Sequence, residues 1–190
     1  MLTAVFCATF TCTERSFFYF CADNPTSILM RKEQFICPYT LFDNETELAP
    51  KDAELLRLAH EATNNSYAPY SRFHVGAAAR LANGAVVTGC NIENAAYPSG
   101  LCAERVTLFA AQAQYPDVPV EALAITAHSE SKTIDEPVAP CGGCRQVMVE
   151  VEQRSKRPLR VLCQGEVGPI MAFDGIESLV PFVFLDKFLE

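Results

Sequence analysis

Three cysteines in two short segments constrain the fold of this chain more than any other feature. One segment is Cys102-Ala103-Glu104, and the other is Pro140-Cys141-Gly142-Gly143-Cys144. A zinc ion held by three protein ligands keeps a fourth position open for water, which distinguishes a catalytic site from a closed structural one. A carboxylate beside that water can move the protons that a hydrolytic reaction requires. The two segments therefore predict that the fold brings three thiolates and one glutamate together in a hydrolytic site.

Both segments stand where helices are predicted to begin. Pro140 suits the start of a helix that runs from about Cys141 to Gln153. Ser99 is predicted to cap a helix that runs from about Leu101 to Gln114. Because the helix dipole favours negative charge at an N-terminus, these positions should favour the thiolate form of each cysteine.

Two other interpretations of the cysteines stay open on spacing alone. A C-x-x-C pair at a helix start is also typical of thioredoxin-like redox sites, but that interpretation leaves Cys102 and Glu104 without a role. A structural four-ligand zinc site would need one more ligand. The remaining candidates lack metal-motif spacing and are expected to be structural: Cys90, Cys163, His74 and His128.

The composition limits the partners and the compartment. A formal net charge of -8 over 190 residues argues against nucleic acid, because phosphate binding relies on clustered Lys and Arg. The cysteines number nine, an odd count, and they lie in metal-type or apolar contexts, which indicates a reducing compartment rather than a disulfide framework. We therefore expect a cytoplasmic protein that acts on a small molecule, with neither nucleic acid nor a membrane as its partner.

Residues 1–29 differ in composition from the rest of the chain. Glu14 and Arg15 interrupt their apolar residues, so no run reaches the length of a transmembrane helix. No Lys or Arg precedes Arg15, whereas a secretory signal begins with a positive segment. A targeting segment is one interpretation. The preferred hypothesis is that Met30 is the true start, that residues 1–29 are an N-terminal extension upstream of it, and that residues 30–190 form a single domain.

Hydrophobic patterning over the rest of the chain predicts a layered α/β fold with a mixed sheet. Asn83-Gly84 is a strong signal for a two-residue hairpin turn between two of the strands. Strands are predicted at 33–42, 74–81, 85–92, 120–127, 159–163 and 169–173, and helices at 51–64, 101–114 and 141–153.

Five segments together resemble the cytidine deaminases of the small homotetrameric, three-cysteine type. They are residues 68–78, 91–97, 102–105, 140–146 and 179–184, and they occur in order between residues 45 and 185. The resemblance implies a three-layer α/β/α fold with a mixed, mostly five-stranded sheet. It also implies one Zn²⁺ per chain, bound by Cys102, Cys141 and Cys144, with Glu104 as the general acid and base.

The resemblance assigns further residues to the substrate. Asn91 and Glu93 alternate along a strand end, so they face the same way, and they would hold the ribose 3′-hydroxyl. Arg105 would offset the negative charge of the thiolates. The other implied contacts are Phe73 and Ala103 at the substrate, with Tyr97 and Phe184 as aromatic residues that reach a neighbouring subunit's site in a homotetramer.

The implied activity is zinc-dependent hydrolytic deamination of cytidine and deoxycytidine to uridine and deoxyuridine, in pyrimidine salvage. The carboxylate of Glu93 would repel a nearby phosphate, which favours a nucleoside over a nucleotide. Two alternatives stay open: a deaminase of a modified cytosine nucleoside of the blasticidin type, and a non-catalytic zinc-binding scaffold. A deaminase of polynucleotides is disfavoured by the acidic net charge.

Overall fold

The computed structural model describes residues 31–189, and the fold below lies within a compact unit that begins at Phe35. The predicted extension at residues 1–29 and the proposed start at Met30 lie outside the described residues. The central element is one mixed sheet of six strands. The strands are β1 (Thr40–Phe42), β2 (Phe73–Leu81), β3 (Val86–Cys90), β4 (Val120–Ser129), β5 (Arg160–Cys163) and β6 (Ile170–Phe173), and the helices are α1 (Pro50–Ala62), α2 (Ala103–Gln114) and α3 (Gly142–Ser155).

The strand order across the sheet is β1-β6-β5-β4-β2-β3. β4 and β5 run parallel, with α3 in the connection between them, and the other neighbouring pairs are antiparallel. The predicted β2–β3 hairpin is confirmed, since Gly84 takes a left-handed φ of 85° in the turn between the strands. A glycine adopts that conformation without the steric cost of a side chain.

The sheet has six strands rather than the five expected from the resemblance. One edge of the sheet is formed by β1, which pairs antiparallel with β6. The alternating pattern over 33–42 predicted a much longer strand, but pairing begins at Thr40. Pro38 has no backbone N–H to contribute to a sheet, which is the physical reason that the strand is short.

The helices cover the two faces of the sheet, and this confirms the predicted α/β/α layers. Ala78 on β2 packs into a core with α1, whereas its neighbours Ala77 and Ala79 pack into a second core with α2 and α3. The approach of α1 is so close that a Cβ on Gly76 would lie 2.0 Å from the Ala59 carbonyl oxygen. None of the helices within residues 31–189 is long and apolar enough to cross a membrane.

Candidate active site

The three cysteines of the two motifs converge at the N-termini of two helices. Cys102 immediately precedes α2 and Cys141 immediately precedes α3, both in extended backbone, and neither side chain caps its own helix. Cys144 lies in the first turn of α3 and is fully buried. The thiols are therefore free to face one another across the gap between the helix ends.

The spacing of the sulfur atoms fits a single zinc ion. The three Sγ atoms lie within 4.8 Å of one another, with 3.9 Å between Cys102 and Cys141 and 3.4 Å between Cys141 and Cys144. Zn–S bonds of about 2.3 Å in a tetrahedron place two sulfurs roughly 3.8 Å apart. Within the described range 31–189, no other group of His, Cys, Asp or Glu side chains forms a comparable cluster.

The start of α2 differs from the sequence prediction. Ser99 does not cap the helix, because it belongs to a 3₁₀ turn over Tyr97–Ser99, and Cys102 occupies the capping position. Between them the chain is extended, since Leu101 and Ile92 exchange backbone hydrogen bonds. Residues two apart on a regular helix face different directions, but Cys102 lies outside the helix, so the spacing to Glu104 is no obstacle to a shared site.

Glu104 is a buried carboxyl in the first turn of α2, with 4% of its surface exposed. Burial raises its pKa above the ordinary glutamate value, and the nearby charge of Cys102 raises it further. Proton transfer is most efficient when the pKa of the group lies near the working pH. The environment of Glu104 therefore suits a group that both accepts and returns a proton.

The pKa values of Cys102 and Cys144 are shifted in opposite directions. Hydrogen bonding from Cys144 lowers the pKa of Cys102 to about 5, with a further contribution from Arg105, whose Nη2 lies 3.7 Å from the Cys102 sulfur. The same contact with Cys102, together with burial, raises the pKa of Cys144. These contacts favour negative charge on Cys102, and the positive charge of Arg105 beside it partly balances that charge.

A cleft of about 770 Å³ opens beside this cluster. Six of the predicted residues line it together with Cys102 and Cys141, whereas Cys144, Ala103 and Phe184 do not. Ala103 is fully buried in the core under α2. Phe184 is 57% exposed on the C-terminal segment, with its ring 5.8 Å from that of Phe188. The predicted residues that line the cleft are Phe73, Asn91, Glu93, Tyr97, Glu104 and Arg105.

Asn91 is held in place by three hydrogen bonds. Its Oδ1 accepts from the Ser66 hydroxyl at 2.6 Å and from the Val75 N–H at 2.7 Å. Its Nδ2 donates to the Phe73 carbonyl at 2.9 Å. Because Nδ2 carries two hydrogens and one is used, a single donor remains for a ligand in the cleft.

Glu93 lies partly exposed in the same cleft. One carboxylate oxygen, Oε2, accepts from the backbone N–H of Tyr70 at 2.8 Å and of Ser71 at 3.2 Å. Hydrogen bonding by Ser71 and by the Tyr70 N–H lowers the pKa of Glu93, so the side chain is charged at neutral pH. The other oxygen is available to accept hydrogen bonds from a ligand.

Tyr70 and Ser71 are site residues that the sequence interpretation missed. They contribute through backbone N–H groups and through the Tyr70 ring, which meets the exposed Tyr97 ring edge-on at 5.9 Å. The Ala68-Pro69-Tyr70 stretch reads as a loop, and no side-chain pattern shows where loop amides point. The backbone trace of the folded chain was needed to find them.

The four residues expected to be structural stay outside the metal cluster. His74 contacts Ser66 and Glu130, and His128 contacts Glu166 at 3.2 Å. The Cys90 thiol donates to the Asn65 carbonyl, and Cys163 is fully buried in β5. These contacts agree with the expectation that neither histidine is needed as a further ligand.

Comparison with known proteins places this geometry in a family. A family model described as the cytidine and deoxycytidylate deaminase zinc-binding region matches residues 49–157. A curated protein named cytidine deaminase, from Halalkalibacterium halodurans, is 38% identical over 130 residues, which cover 68% of this chain and 91% of that protein.

Solved structures agree with the sequence comparison. A cytidine deaminase from Burkholderia pseudomallei superposes with a TM-score of 0.60 at 38% identity, over 69% of this chain and 97% of the other. A cytidine deaminase from Mycobacterium tuberculosis superposes with a TM-score of 0.55 at 31% identity, over 72% and 98% of the two chains. The matches extend over nearly the whole length of both relatives.

Proposed function

The chain belongs to the cytidine and deoxycytidylate deaminase zinc-binding family, and from that premise we propose that it deaminates cytidine and deoxycytidine by hydrolysis, which yields uridine, deoxyuridine and ammonia. The observation that carries the proposal is that the buried Glu104 shares one cleft with Glu93 and with Cys102 and Cys141, two members of the compact three-cysteine cluster. The cleft therefore has one end that can bind a metal and another that can bind a hydroxyl group, which suits hydrolytic deamination of a nucleoside.

The metal is proposed to be zinc, one ion per chain, held by Cys102, Cys141 and Cys144. The sulfur spacing and the soft, thiolate-only donor set both support this choice over Mg²⁺ or Ca²⁺, which prefer oxygen ligands. When bound there, zinc supplies the Lewis acidity that makes water nucleophilic at neutral pH. Arg105 remains beside the Cys102 sulfur and offsets part of the thiolate charge.

Glu104 is the proposed carrier of protons. In the overall reaction, water adds at C4 of the cytosine ring, N3 gains a proton, and the C4–N4 bond then breaks to release ammonia. Each of the two transfers needs a group that takes a proton from one atom and gives it to another. A carboxyl with a raised pKa serves both directions, and burial of Glu104 keeps bulk water from competing for the proton.

The nucleoside's sugar is proposed to lie at the other end of the cleft. Glu93 offers a free carboxylate oxygen and Asn91 a free N–H, which together can accept from and donate to one ribose hydroxyl. Phe73 supplies an apolar wall for the base. The negative charge of Glu93 disfavours a substrate phosphate nearby, which supports nucleosides over nucleotides.

Assembly and cellular role follow from the family resemblance and are proposals of the same kind. We propose a homotetramer in which Tyr97 and Phe184 contact a neighbouring subunit's site, and a cytoplasmic role in pyrimidine salvage. The exposed fractions of these two rings, 75% and 57%, support an aromatic surface that is available to a neighbour. Gel filtration that gives a fully active monomer would contradict the shared site.

The test of the function is cytidine turnover, followed by ultraviolet absorbance, with zinc content determined on the same sample. We expect near one zinc per chain and rapid conversion to uridine. Zinc-loaded protein that leaves cytidine and deoxycytidine unchanged would overturn the proposal. Parallel rates on a blasticidin-type nucleoside distinguish a deaminase of modified cytosines from the proposed enzyme, and binding of nucleoside without turnover would indicate the scaffold.

A further inference from the structure

Two side chains that follow the ligand Cys144 hold the C-terminal segment, defined here as residues 179–184. The Arg145 guanidinium donates from Nη1 to the Leu179 carbonyl at 2.9 Å. The next residue, Gln146, donates from Nε2 to the Phe184 carbonyl at 3.0 Å. Two consecutive residues near the start of α3 therefore hold this segment at both of its ends.

The same guanidinium also holds the loop that carries the ligands. Its Nε donates to the Pro140 carbonyl at 2.8 Å, and Pro140 immediately precedes Cys141. Pro140 and Leu179 are both buried. Because the donors of a guanidinium lie in one rigid plane, a displacement of either carbonyl disturbs the hydrogen bond to the other.

A positive charge at position 145 has an electrostatic cost, and formation of the helix does not require it. Position 145 lies in the first turn of α3, where the helix dipole disfavours a positive charge. The carbonyl acceptors of Pro140 and Leu179 offset that cost. A side chain needed for packing alone would not have to be charged.

We propose that Arg145 is a positioning residue of the metal site, which clamps the 140–144 ligand loop to the C-terminal segment. Retention of the metal and order in the segment are then coupled, and the coupling is reciprocal: metal binding orders the segment, and loosening the segment weakens metal binding. The inference rests on the proposed zinc site and is independent of which nucleoside the enzyme accepts.

The first test compares Arg145→Lys with Arg154→Lys. Arg154 is a matched control because it lies on the same helix and also donates to a backbone carbonyl, that of Pro116 at 3.0 Å, but far from the ligands. Zinc transfer from each loaded protein to a chromophoric chelator is timed. Residues that orient metal ligands typically contribute 10- to 100-fold to metal affinity. We expect transfer about 10-fold faster or more for Arg145→Lys, and a wild-type rate for Arg154→Lys.

Two outcomes of this test overturn the proposal. One is a wild-type transfer rate for Arg145→Lys, and the other is an equal acceleration in both variants, which would indicate general loosening of α3. Neither depends on deamination, so protein that holds zinc but does not convert cytidine still gives a valid result. Failure of the clamp and failure of the proposed function are therefore distinguishable.

A second test uses the wild-type chain, so it does not depend on the folding of the Arg145 variant. Chymotrypsin cleavage after Phe182, which is 91% exposed, is timed with zinc bound and after removal of zinc by chelation. We expect faster cleavage without zinc, and faster cleavage of zinc-loaded Gln146→Met, which lacks the donor to the Phe184 carbonyl. Cleavage rates that do not respond to zinc would refute the coupling.

Discussion

Glu104 and Glu93 line the same cleft, yet their surroundings shift their pKa values in opposite directions. Glu104 is buried beside the cysteine cluster, where desolvation raises its pKa. Glu93 is partly exposed, and hydrogen bonds to its carboxylate lower its pKa. One residue type thus suits the proposed proton carrier at one end of the cleft and supplies a negative charge at the other. The comparison shows that burial and donors, not residue identity, assign the chemical role.

The largest effect is expected when the proton carrier is removed. Glu104→Gln keeps the size of the side chain but cannot carry a proton, so kcat should fall by a factor of about 10² to 10⁴ or more. Zinc content should be unchanged, because Glu104 is not among the proposed ligands. Glu150→Gln, at an exposed position of α3, is the control and should have wild-type kcat. Retained turnover in Glu104→Gln would remove the proposed role.

A smaller effect is expected at the other end of the cleft. Glu93→Gln removes the charge that would accept a hydrogen bond from the sugar, so KM for cytidine should rise on the order of 10-fold. We expect kcat to change much less than in Glu104→Gln, because Glu93 does not touch the reacting atoms. Steady-state kinetics separate the two parameters, with exposed Glu177→Gln as the control. A fall in kcat with unchanged KM would contradict the division of roles.

Asn91 supports the end of the cleft that is proposed to bind the sugar. Asn91→Ala leaves the Ser66 hydroxyl, the Val75 N–H and the Phe73 carbonyl without their partner. An unsatisfied buried polar group costs about 1–3 kcal/mol, and we expect a loss of unfolding free energy in that range. Urea denaturation measures it, and Asn64→Ala, at an exposed position in the 3₁₀ turn that follows α1, should change stability by much less. Equal losses in both variants would show that Asn91 has no special positioning role.

The smallest expected effect is on the pH dependence of stability. Because the folded-state pKa of Glu93 is lowered, the stability that its carboxylate contributes is present above the ordinary glutamate pKa of about 4.3 and is lost as the pH falls through the lowered value. The difference in unfolding free energy between wild type and Glu93→Gln should therefore shrink on acidification below about pH 4. Denaturation curves between pH 3 and 7 test this, and a difference that grows on acidification would contradict it.

Much of the fold could be predicted from local pattern. The hairpin turn at Asn83-Gly84, the three helices and the buried strands all appear close to their expected positions, because hydrophobic period and turn chemistry are local properties. Two elements differ from their predicted bounds, because those bounds depend on contacts with residues distant in sequence. Pairing of residues 33–42 with β6 is limited to three residues, and the bridge from Ile92 to Leu101 displaces the start of α2 from the position that Ser99 suggested.

The candidate site likewise combines features that follow from local sequence with features that depend on the fold. The donor atoms follow from the sequence: three thiols in two motifs, a glutamate beside one of them, and a polar pair at a strand end. Residue types and short spacings carry that information directly.

The distances between those atoms and the environment of each depend on the tertiary structure. Convergence of α2 and α3 brings the three sulfurs within 4.8 Å, and burial under the sheet raises the pKa of Glu104. Loop amides at Tyr70 and Ser71 fix the charge of Glu93, and Arg145 joins the ligand loop to the C-terminal segment. Distances and desolvation depend on chain segments far apart in sequence, which no local pattern encodes.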